Sequence, residues 1–227
     1  MTQGKDTPLP SSNQKQLQRT HFKELRSKLN SAYRLQQSAL VSKRLIHLLR
    51  AQSSLAIAGF YPMGAELDLR SFFYACVQYN WKLCLPCVCS STSMEFVHIK
   101  PSSIIDLSYQ NLPFIENPLA RLTPQDLAKR GLRIAEAKSL DLYLCPLLAF
   151  NAQGMRLGYG GGYYDRYLES ALKENPSAIS CGIAFDEQLC TNLAADPHDQ
   201  TLDIIMTPSK LYICSEKGKS FTSCSPN

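Results

Sequence analysis

Tryptophan, histidine and long apolar runs are scarce in this sequence of 227 residues, which contains one Trp and four His. No apolar run approaches the roughly 20 residues that a membrane-spanning helix needs. Residues 1–13 are polar, unlike the apolar segment of a secretory signal peptide. The sequence therefore predicts a cytoplasmic protein that has no membrane partner.

The sequence also lacks the patterns of the common catalytic nucleophiles. Its four histidines, at positions 21, 47, 98 and 198, are scattered, and none has a Ser–His–Asp or Cys–His motif around it. A mechanism that depends on positioning and on neutralising charge fits such a chain better than one that depends on a protein nucleophile.

Disulfide bonds and structural zinc are not expected, although the chain has nine cysteines. The number is odd and the residues are scattered, with Cys84, Cys87 and Cys89 as the densest group. Cys84 and Cys87 form a C-x-x-C pair, but no second pair follows at zinc spacing. These residues are predicted to be reduced thiols, which is typical of a reducing compartment.

The net charge of +5 is a mild bias, and the basic residues form no stripe. Such a charge fits anionic small molecules and is too weak to indicate nucleic acid. We expect a monomer that binds small-molecule substrates and no nucleic acid.

The length and patterning predict a single domain over residues 14–214, with polar tails at 1–13 and 215–227. Predicted strands alternate with helices, which indicates an α/β fold with a largely parallel sheet. Asn13 is the predicted cap of the first helix, and residues 100–133 are mostly irregular. The predicted helices are 14–30, 35–49, 69–79, 124–129, 163–172 and 186–193, and the predicted strands are 54–61, 81–89, 93–99, 140–146, 178–184 and 201–206.

The most informative segment is residues 154–168, GMRLGYGGGYYDRYL, which has four glycines within five positions. Glycine allows positive φ and close approach of a ligand to the backbone. The free N–H groups of such a loop, and of the helix that follows, attract phosphate. Asp165 can hold a divalent cation that bridges phosphate oxygens. The loop follows a predicted strand, where α/β sheets bind ligands.

This loop matches neither common nucleotide motif. Its glycines read G-x-G-x-G instead of G-x-G-x-x-G, and they lack the Gly-Lys-Ser/Thr ending of a P-loop. One alternative is a plain glycine-rich turn before a helix. Another is a nucleotide-sugar or dinucleotide enzyme, which calls for an acidic residue about twenty positions on; Asp186 lies somewhat late for that role.

Together with DLYLCPLLAF at 141–150 and PHDQTLD at 197–203, the glycine loop makes the chain resemble the 5-formyltetrahydrofolate cyclo-ligase family, over about residues 15–211. The resemblance implies a three-layer α/β/α sandwich. It also implies conversion of 5-formyltetrahydrofolate to 5,10-methenyltetrahydrofolate, which consumes ATP, requires Mg²⁺, and releases ADP and phosphate.

The resemblance assigns one group of residues to ATP and the metal. Asp165 and Asp199 match the metal ligands, although Asp196, His198 and Asp203 lie near Asp199 in the sequence. Lys23 and Arg26 are alternatives to Lys15 and Arg19 as the cations that reach the nucleotide. The implied nucleotide site comprises Lys15, Arg19, Arg156, Leu157, Gly158, Tyr159, Gly160, Gly161, Gly162, Tyr163 and Tyr164.

A second group is assigned to the folate. Glu66 matches a glutamate that holds the pterin, with Tyr61 and Phe60 beside it, and Met94 and Phe96 match an apolar pair against the folate. The alternative for Glu66 is a surface carboxylate. The alternative for the apolar pair is ordinary core packing. The residues expected at the reacting atoms are Tyr163, Tyr164 and Arg156, and the sequence does not divide the work between the two tyrosines.

The chain departs from the family pattern at three positions. Many relatives have a basic residue where this chain has Tyr159 and Gly161, and an arginine where it has Cys87. These departures leave the metal carboxylates and the tyrosines in place, so activity is still expected. A catalytically silent folate- or nucleotide-binding homologue is the alternative function. That alternative requires the loss of the loop glycines or the metal carboxylates, and both are present.

Overall fold

A computed structural model describes residues 11–106, 112–118, 120–194 and 199–223. Asp196, His198 and most of the predicted amino-terminal tail lie outside the described residues. The helices are α1 (Ser11–Ser27), α2 (Ser31–Leu49), α3 (Arg70–Gln78), α4 (Pro101–Ile105), α5 (Pro113–Glu116), α6 (Pro124–Lys129), α7 (Tyr163–Glu174) and α8 (Glu216–Ser223). The strands are β1 (Ala56–Ala58), β2 (Lys82–Val88), β3 (Met94–His98), β4 (Leu142–Pro146), β5 (Ala149–Phe150), β6 (Arg156–Leu157), β7 (Ile179–Ile183), β8 (Ile204–Met206) and β9 (Leu211–Ile213).

Seven strands form the central sheet in the order β3-β2-β1-β4-β7-β8-β9. The five inner strands are parallel, and β3 and β9 pair antiparallel at the two edges. The direction of the strand order reverses between β1 and β4. In open α/β sheets, ligands bind beyond the carboxyl ends of the strands at such a reversal.

Both faces of the sheet are covered, which confirms the predicted three-layer α/β/α architecture. Alternate residues of a strand point to opposite faces. Ile57 and Leu142 pack in a core with residues of α2 and α3, whereas Ala58 and Tyr143 pack in a second core with residues of α7. The continuous apolar character of β4 follows from this double burial.

The break between the first two helices differs from the prediction, because α1 ends at Ser27 and Asn30 caps α2. Its side-chain oxygen accepts a hydrogen bond from the Ala32 amide at 2.8 Å. The second helix therefore begins at Ser31 instead of residue 35. The first begins at Ser11, so Asn13 lies inside the helix and is not its cap.

The predicted carboxy-terminal tail is wrong for residues 216–223, which form α8. Ser215 accepts a hydrogen bond from the Gly218 amide at 3.0 Å and donates one to Asp203 at 2.7 Å. A Cβ at position 218 would lie 2.4 Å from the Asp203 carbonyl oxygen, so only glycine fits this close approach. Because the packing of α8 depends on this one glycine, the sequence of the helix shows no apolar periodicity from which it could be predicted.

Smaller differences affect the surroundings of the site. The antiparallel pair β5–β6 was not predicted, and it carries Arg156. The predicted helix over 186–193 is a short 3₁₀ turn, Asp186–Gln188. The irregular stretch contains α4 and α5 as well as the predicted α6. Within the described part of the chain, no helix is both long and apolar enough to span a membrane.

Candidate active site

A cavity of about 490 Å³ lies at the carboxyl ends of β1 and β4, at the reversal of the strand order. Its size falls in the usual range for small-molecule sites. The chain segments that meet there come from α1, from the loops after β1 and β4, and from the start of α7. Except for Phe96, the residues that the sequence assigned to the site line this cavity: Lys15, Arg19, Phe60, Tyr61, Glu66, Met94, Arg156, Leu157, Gly158, Tyr159, Gly160, Gly161, Gly162, Tyr163, Tyr164, Asp165 and Asp199.

Two basic residues of α1, Lys15 and Arg19, reach the cavity because they share the inner face of the helix. Lys15 and Arg19 are four residues apart, and Arg26 lies two turns further along that face. Lys15 is buried, and its Nζ lies 2.5 Å from Oδ2 of Asp199. Arg19 Nε donates to the Gly158 carbonyl oxygen at 3.1 Å. Lys23 is exposed and does not line the cavity.

Arg156 supplies a second buried cation beside a carboxylate. Its guanidinium donates to Asp165 Oδ1 at 2.6 Å and to the Gln200 carbonyl oxygen at 2.7 Å. The side chain of Asp165 is 39% exposed and that of Arg156 only 3%. The ion pair is thus open to the cavity on the carboxylate side.

The glycine loop adopts backbone conformations that other residues disfavour. Gly160 has φ +102° and Gly162 has φ +65°, in the left-handed region. Gly162 is also the residue before the first turn of α7. A Cβ at position 162 would lie 2.5 Å from Arg166 Nη1, and one at position 160 would lie 3.5 Å from the Arg19 guanidinium. The positive φ values are therefore what favours glycine at these two positions.

Glu66 is a buried carboxylate that also lines the cavity. Its Oε2 accepts a hydrogen bond from the Met63 amide at 2.9 Å, and its Oε1 accepts one from the Tyr159 hydroxyl. Arg26 Nη1 lies 3.8 Å from Oε1. Burial raises the pKa of Glu66, and these three groups oppose part of that rise. The surface-carboxylate alternative is therefore wrong.

The two tyrosines at the start of α7 have different surroundings. The Tyr163 hydroxyl donates to the Ser90 carbonyl oxygen at 3.3 Å, and Arg166 lies over its ring at 5.4 Å. The Tyr164 hydroxyl is buried and has no hydrogen-bond partner among the described residues. Buried polar groups are rarely left unsatisfied in native proteins, so Tyr164 is the tyrosine to which a ligand would supply a partner.

A model of the 5-formyltetrahydrofolate cyclo-ligase family matches residues 11–208. The chain belongs to this family. It is 28% identical over 191 residues to the 5-formyltetrahydrofolate cyclo-ligase of Mus musculus. The match covers 83% of this chain and 90% of the mouse protein. The protein of the same name from Haemophilus influenzae is 26% identical over 191 residues, 83% of this chain and 95% of that protein.

Among solved structures, the 5,10-methenyltetrahydrofolate synthetase of Mycoplasma pneumoniae is similar to this chain, with a TM-score of 0.66 at 24% identity. The match covers 86% of this chain and 98% of the Mycoplasma protein. At this identity the likeness supports the fold alone. It agrees with the three-layer architecture derived from the strand order.

The metal ligands implied by the cyclo-ligase family are two carboxylates, Asp165 and Asp199. Within the described residues, no group of three or more His, Cys, Asp or Glu side chains lies close enough together to hold a metal ion. Mg²⁺ is commonly bound by one or two carboxylates together with substrate phosphates. Both carboxylates line the cavity beside the glycine loop, so the donor set fits a magnesium ion that enters with a polyphosphate.

Three residues of the cyclo-ligase resemblance lie away from the cavity or take other roles. Phe96 is fully buried and packs edge-on against the Tyr164 ring at 6.3 Å, so of the expected apolar pair only Met94 lines the cavity. Cys87 is buried in the core, where burial raises its pKa to about 12. Asp203 accepts hydrogen bonds from Ser180, pairs with Lys217 and does not line the cavity, so Asp199 remains the predicted metal ligand of the two.

Sequence reasoning missed several apolar lining residues. Phe114 and Pro118 come from the stretch that was predicted to be irregular, and Val88 from the end of β2. The prolines at 113 and 118 were the available signal for ordered structure in this stretch, because Pro113 begins the one-turn helix that carries Phe114.

Proposed function

We propose that this chain converts 5-formyltetrahydrofolate to 5,10-methenyltetrahydrofolate, consuming ATP in the presence of Mg²⁺ and releasing ADP and phosphate. One observation carries the proposal. A single cavity is lined by cations and a glycine loop, and also by a buried carboxylate with apolar side chains. The first set of groups suits a triphosphate and the second a pterin; we call them the nucleotide end and the folate end. The family membership supports the same reaction.

The reaction requires the two substrates to meet inside the cavity. The formyl oxygen on N5 attacks the γ-phosphorus of ATP, and the bond to ADP breaks. N10 then attacks the activated formyl carbon, loses its proton, and phosphate departs with the former formyl oxygen. Phosphoryl transfers of this kind depend on positioning and on charge stabilisation. That requirement matches a sequence with no Ser–His–Asp or Cys–His motif.

At the nucleotide end, cations that now pair with carboxylates could pair with the phosphates of ATP instead, which supports phosphate binding there. Lys15 and Arg156 are paired with Asp199 and Asp165, respectively. These two carboxylates would hold Mg²⁺, which would supply positive charge to the phosphates. Lys15 and Arg156 could donate to phosphate oxygens, together with Arg19 and the amides of the glycine loop.

Tyr164 is our candidate donor to the reacting oxygen. Its buried hydroxyl lacks a partner among the described residues, and its ring is held by Phe96. Burial raises the pKa of Tyr164 well above its ordinary value. The phenol therefore stays protonated and can donate to the formyl oxygen or to a phosphate oxygen as charge shifts during transfer. Tyr163, tied to Ser90, takes the positioning role beside it.

The folate end supports pterin binding through Glu66, whose carboxylate can accept hydrogen bonds from amino and N–H groups. Tyr61, Phe60, Met94 and Phe114 line the space around it. These side chains provide an apolar and aromatic surface against which a planar ring can pack.

The cellular setting is part of the proposal. The eight cysteines within the described residues are all free thiols, and five of them are buried. This supports a reducing compartment such as the cytoplasm. We further propose that the chain acts as a monomer, because one chain supplies both ends of the cavity.

The test is a spectrophotometric assay for the methenyl chromophore. Protein, ATP, Mg²⁺ and 5-formyltetrahydrofolate should together produce absorbance, and omission of ATP or chelation of Mg²⁺ should abolish it. Equal stoichiometry of ADP and methenyl product is also expected. A folded protein that binds both substrates and forms no product would overturn the proposal in favour of a silent homologue.

A further inference from the structure

We propose that Tyr159, a residue of the glycine loop, is a positioning residue of the folate site, where its hydroxyl fixes the carboxylate of Glu66 for the pterin. This inference rests on the proposed function and moves Tyr159 from the nucleotide site, to which its place in the loop assigned it. The phenol thereby links the loop that binds phosphate to the residue that holds the other substrate.

The contact joins two segments that are distant in sequence. Tyr159 lies between Gly158 and Gly160, and its hydroxyl donates to Oε1 of Glu66 in the loop after β1. Two cations of α1 flank the Tyr159 ring, with Lys23 Nζ at 5.9 Å and the Arg26 guanidinium at 5.5 Å from the centroid. The ring is thus held between a helix and a carboxylate, although 41% of the residue remains exposed.

Tyr159 makes the only hydrogen bond to Oε1 among the described contacts of Glu66. Arg26 lies 3.8 Å from that oxygen, beyond ordinary hydrogen-bond length. The Met63 amide holds the other oxygen, Oε2, at 2.9 Å. Each carboxylate oxygen has two lone pairs, so each keeps one for a ligand donor. Tyr159 can therefore orient the carboxylate and remain bonded when a pterin binds.

The same contact favours the charged form of Glu66 at its buried position. The groups that face it are Arg26 from α1, the Met63 amide, and the phenols of Tyr159 and Tyr164. Burial raises the Glu66 pKa, and the Tyr159 hydrogen bond is the largest opposing influence. Burial and Glu66 raise the pKa of Tyr159 itself, so the phenol keeps its proton. Loss of this hydroxyl should therefore raise the pKa of Glu66 further.

The experiment compares Tyr159→Phe, Glu66→Gln and the double variant with the parent chain. Tyr33→Phe is the matched control, because Tyr33 donates to Glu187 at 2.6 Å outside the cavity. Calorimetric titration gives the Kd for 5-formyltetrahydrofolate between pH 5.5 and 8.5 and the Kd for the ATP–Mg²⁺ complex. A hydrogen bond to a charged group corresponds to about a tenfold change in affinity.

We expect Tyr159→Phe to weaken folate binding about tenfold at neutral pH and to leave ATP affinity nearly unchanged. Because the Glu66 pKa rises, the loss of folate affinity on acidification should begin at a higher pH than in the parent. The effect of Tyr159→Phe should vanish in the Glu66→Gln background. Tyr33→Phe should match the parent throughout.

Unchanged folate affinity in Tyr159→Phe, with Glu66→Gln still impaired, would overturn this inference alone. The inference also fails if Tyr159→Phe weakens folate binding equally with and without the Glu66 carboxylate, or weakens only ATP binding. If Glu66→Gln itself binds folate normally, the placement of folate in the proposed function is what fails.

Discussion

Nζ of Lys15 lies 2.5 Å from Oδ2 of Asp199, so the first helix is tied by an ion pair to a loop 184 residues further along the chain. Arg156 and Asp165 form a second pair of the same kind at 2.6 Å. In each pair, a cation expected to bind phosphate neutralises a carboxylate expected to bind Mg²⁺. The metal and the nucleotide should therefore depend on each other for binding.

Asp165→Asn should retain the fold and lose most metal-dependent turnover. Removing one charged ligand should cost several kcal/mol of transition-state stabilisation, or about a hundredfold or more in kcat/KM. Initial rates over a Mg²⁺ titration measure the loss. Asp186→Asn is the matched control, since Asp186 accepts a hydrogen bond from Ser209 and does not line the cavity. Turnover near the parent value at ordinary Mg²⁺ would exclude a metal role for Asp165.

Gly160→Val should abolish ATP binding while folate binding persists. A β-branched side chain resists the φ of +102° at this position and would press toward Arg19. Gly131→Val is the control, because Gly131 also has positive φ, at +69°, but has open space around it and lies outside the cavity. Calorimetry with each substrate separates the effects. Equal ATP affinity in both folded variants would return the loop to an ordinary glycine-rich turn.

Tyr164→Phe should reduce kcat about tenfold to a thousandfold, the range for a positioned donor in transition-state stabilisation. The free energy of unfolding should not fall, because the buried hydroxyl lost has no partner among the described residues. Tyr163→Phe loses a hydrogen bond to Ser90 and should reduce kcat less. Rate measurements combined with urea unfolding check both parts. A Tyr164→Phe variant that is unstable but fully active would contradict the assignment.

Lys15→Ala and Arg19→Ala should each raise the KM for ATP and leave the KM for folate nearly unchanged. Both side chains line the nucleotide end of the cavity. Lys28→Ala provides a matched control, since Lys28 is exposed just beyond the end of α1. If the basic pair changes only the folate constant, the two substrates are placed the wrong way round.

Folate affinity should fall on acidification at a higher pH than an ordinary glutamate would produce. Burial raises the pKa of Glu66, and the pterin needs the carboxylate form, so binding is present above that pKa and is lost as the pH falls through it. The KM for folate measured against pH should show this limb, and Glu66→Gln should lack it. A limb that persists unchanged in Glu66→Gln would assign the titration to another group.

The glycine loop made most of the site predictable, because its composition, the strand before it and the helix after it are all local signals. Lys15 and Arg19 were predictable from their spacing once the family resemblance was recognised. For Phe96 the structure favours the alternative of ordinary core packing. Phe96 shares a face of β3 with Met94, and strand alternation predicts the face on which a residue lies but not how deeply it is buried. Two residues along a strand span about 7 Å, which separates the cavity wall from the core.

The contact between Tyr159 and Glu66 could not be predicted, because it depends on how two loops from distant parts of the chain approach each other. The helix α8 escaped prediction for a similar reason. Its sequence is polar, and its position depends on the fit of Gly218 against the Asp203 carbonyl group. Local sequence patterns do not predict either of these tertiary contacts.

The most direct measurement follows the formyl oxygen. Substrate labelled with ¹⁸O in the formyl group is incubated with the protein, ATP and Mg²⁺, and the phosphate released is examined by mass spectrometry. If the cavity brings the formyl oxygen to the γ-phosphorus, each methenyl product should be accompanied by one ADP and one phosphate that carries the label. Unlabelled phosphate, or ADP formed without methenyl product, would contradict the account.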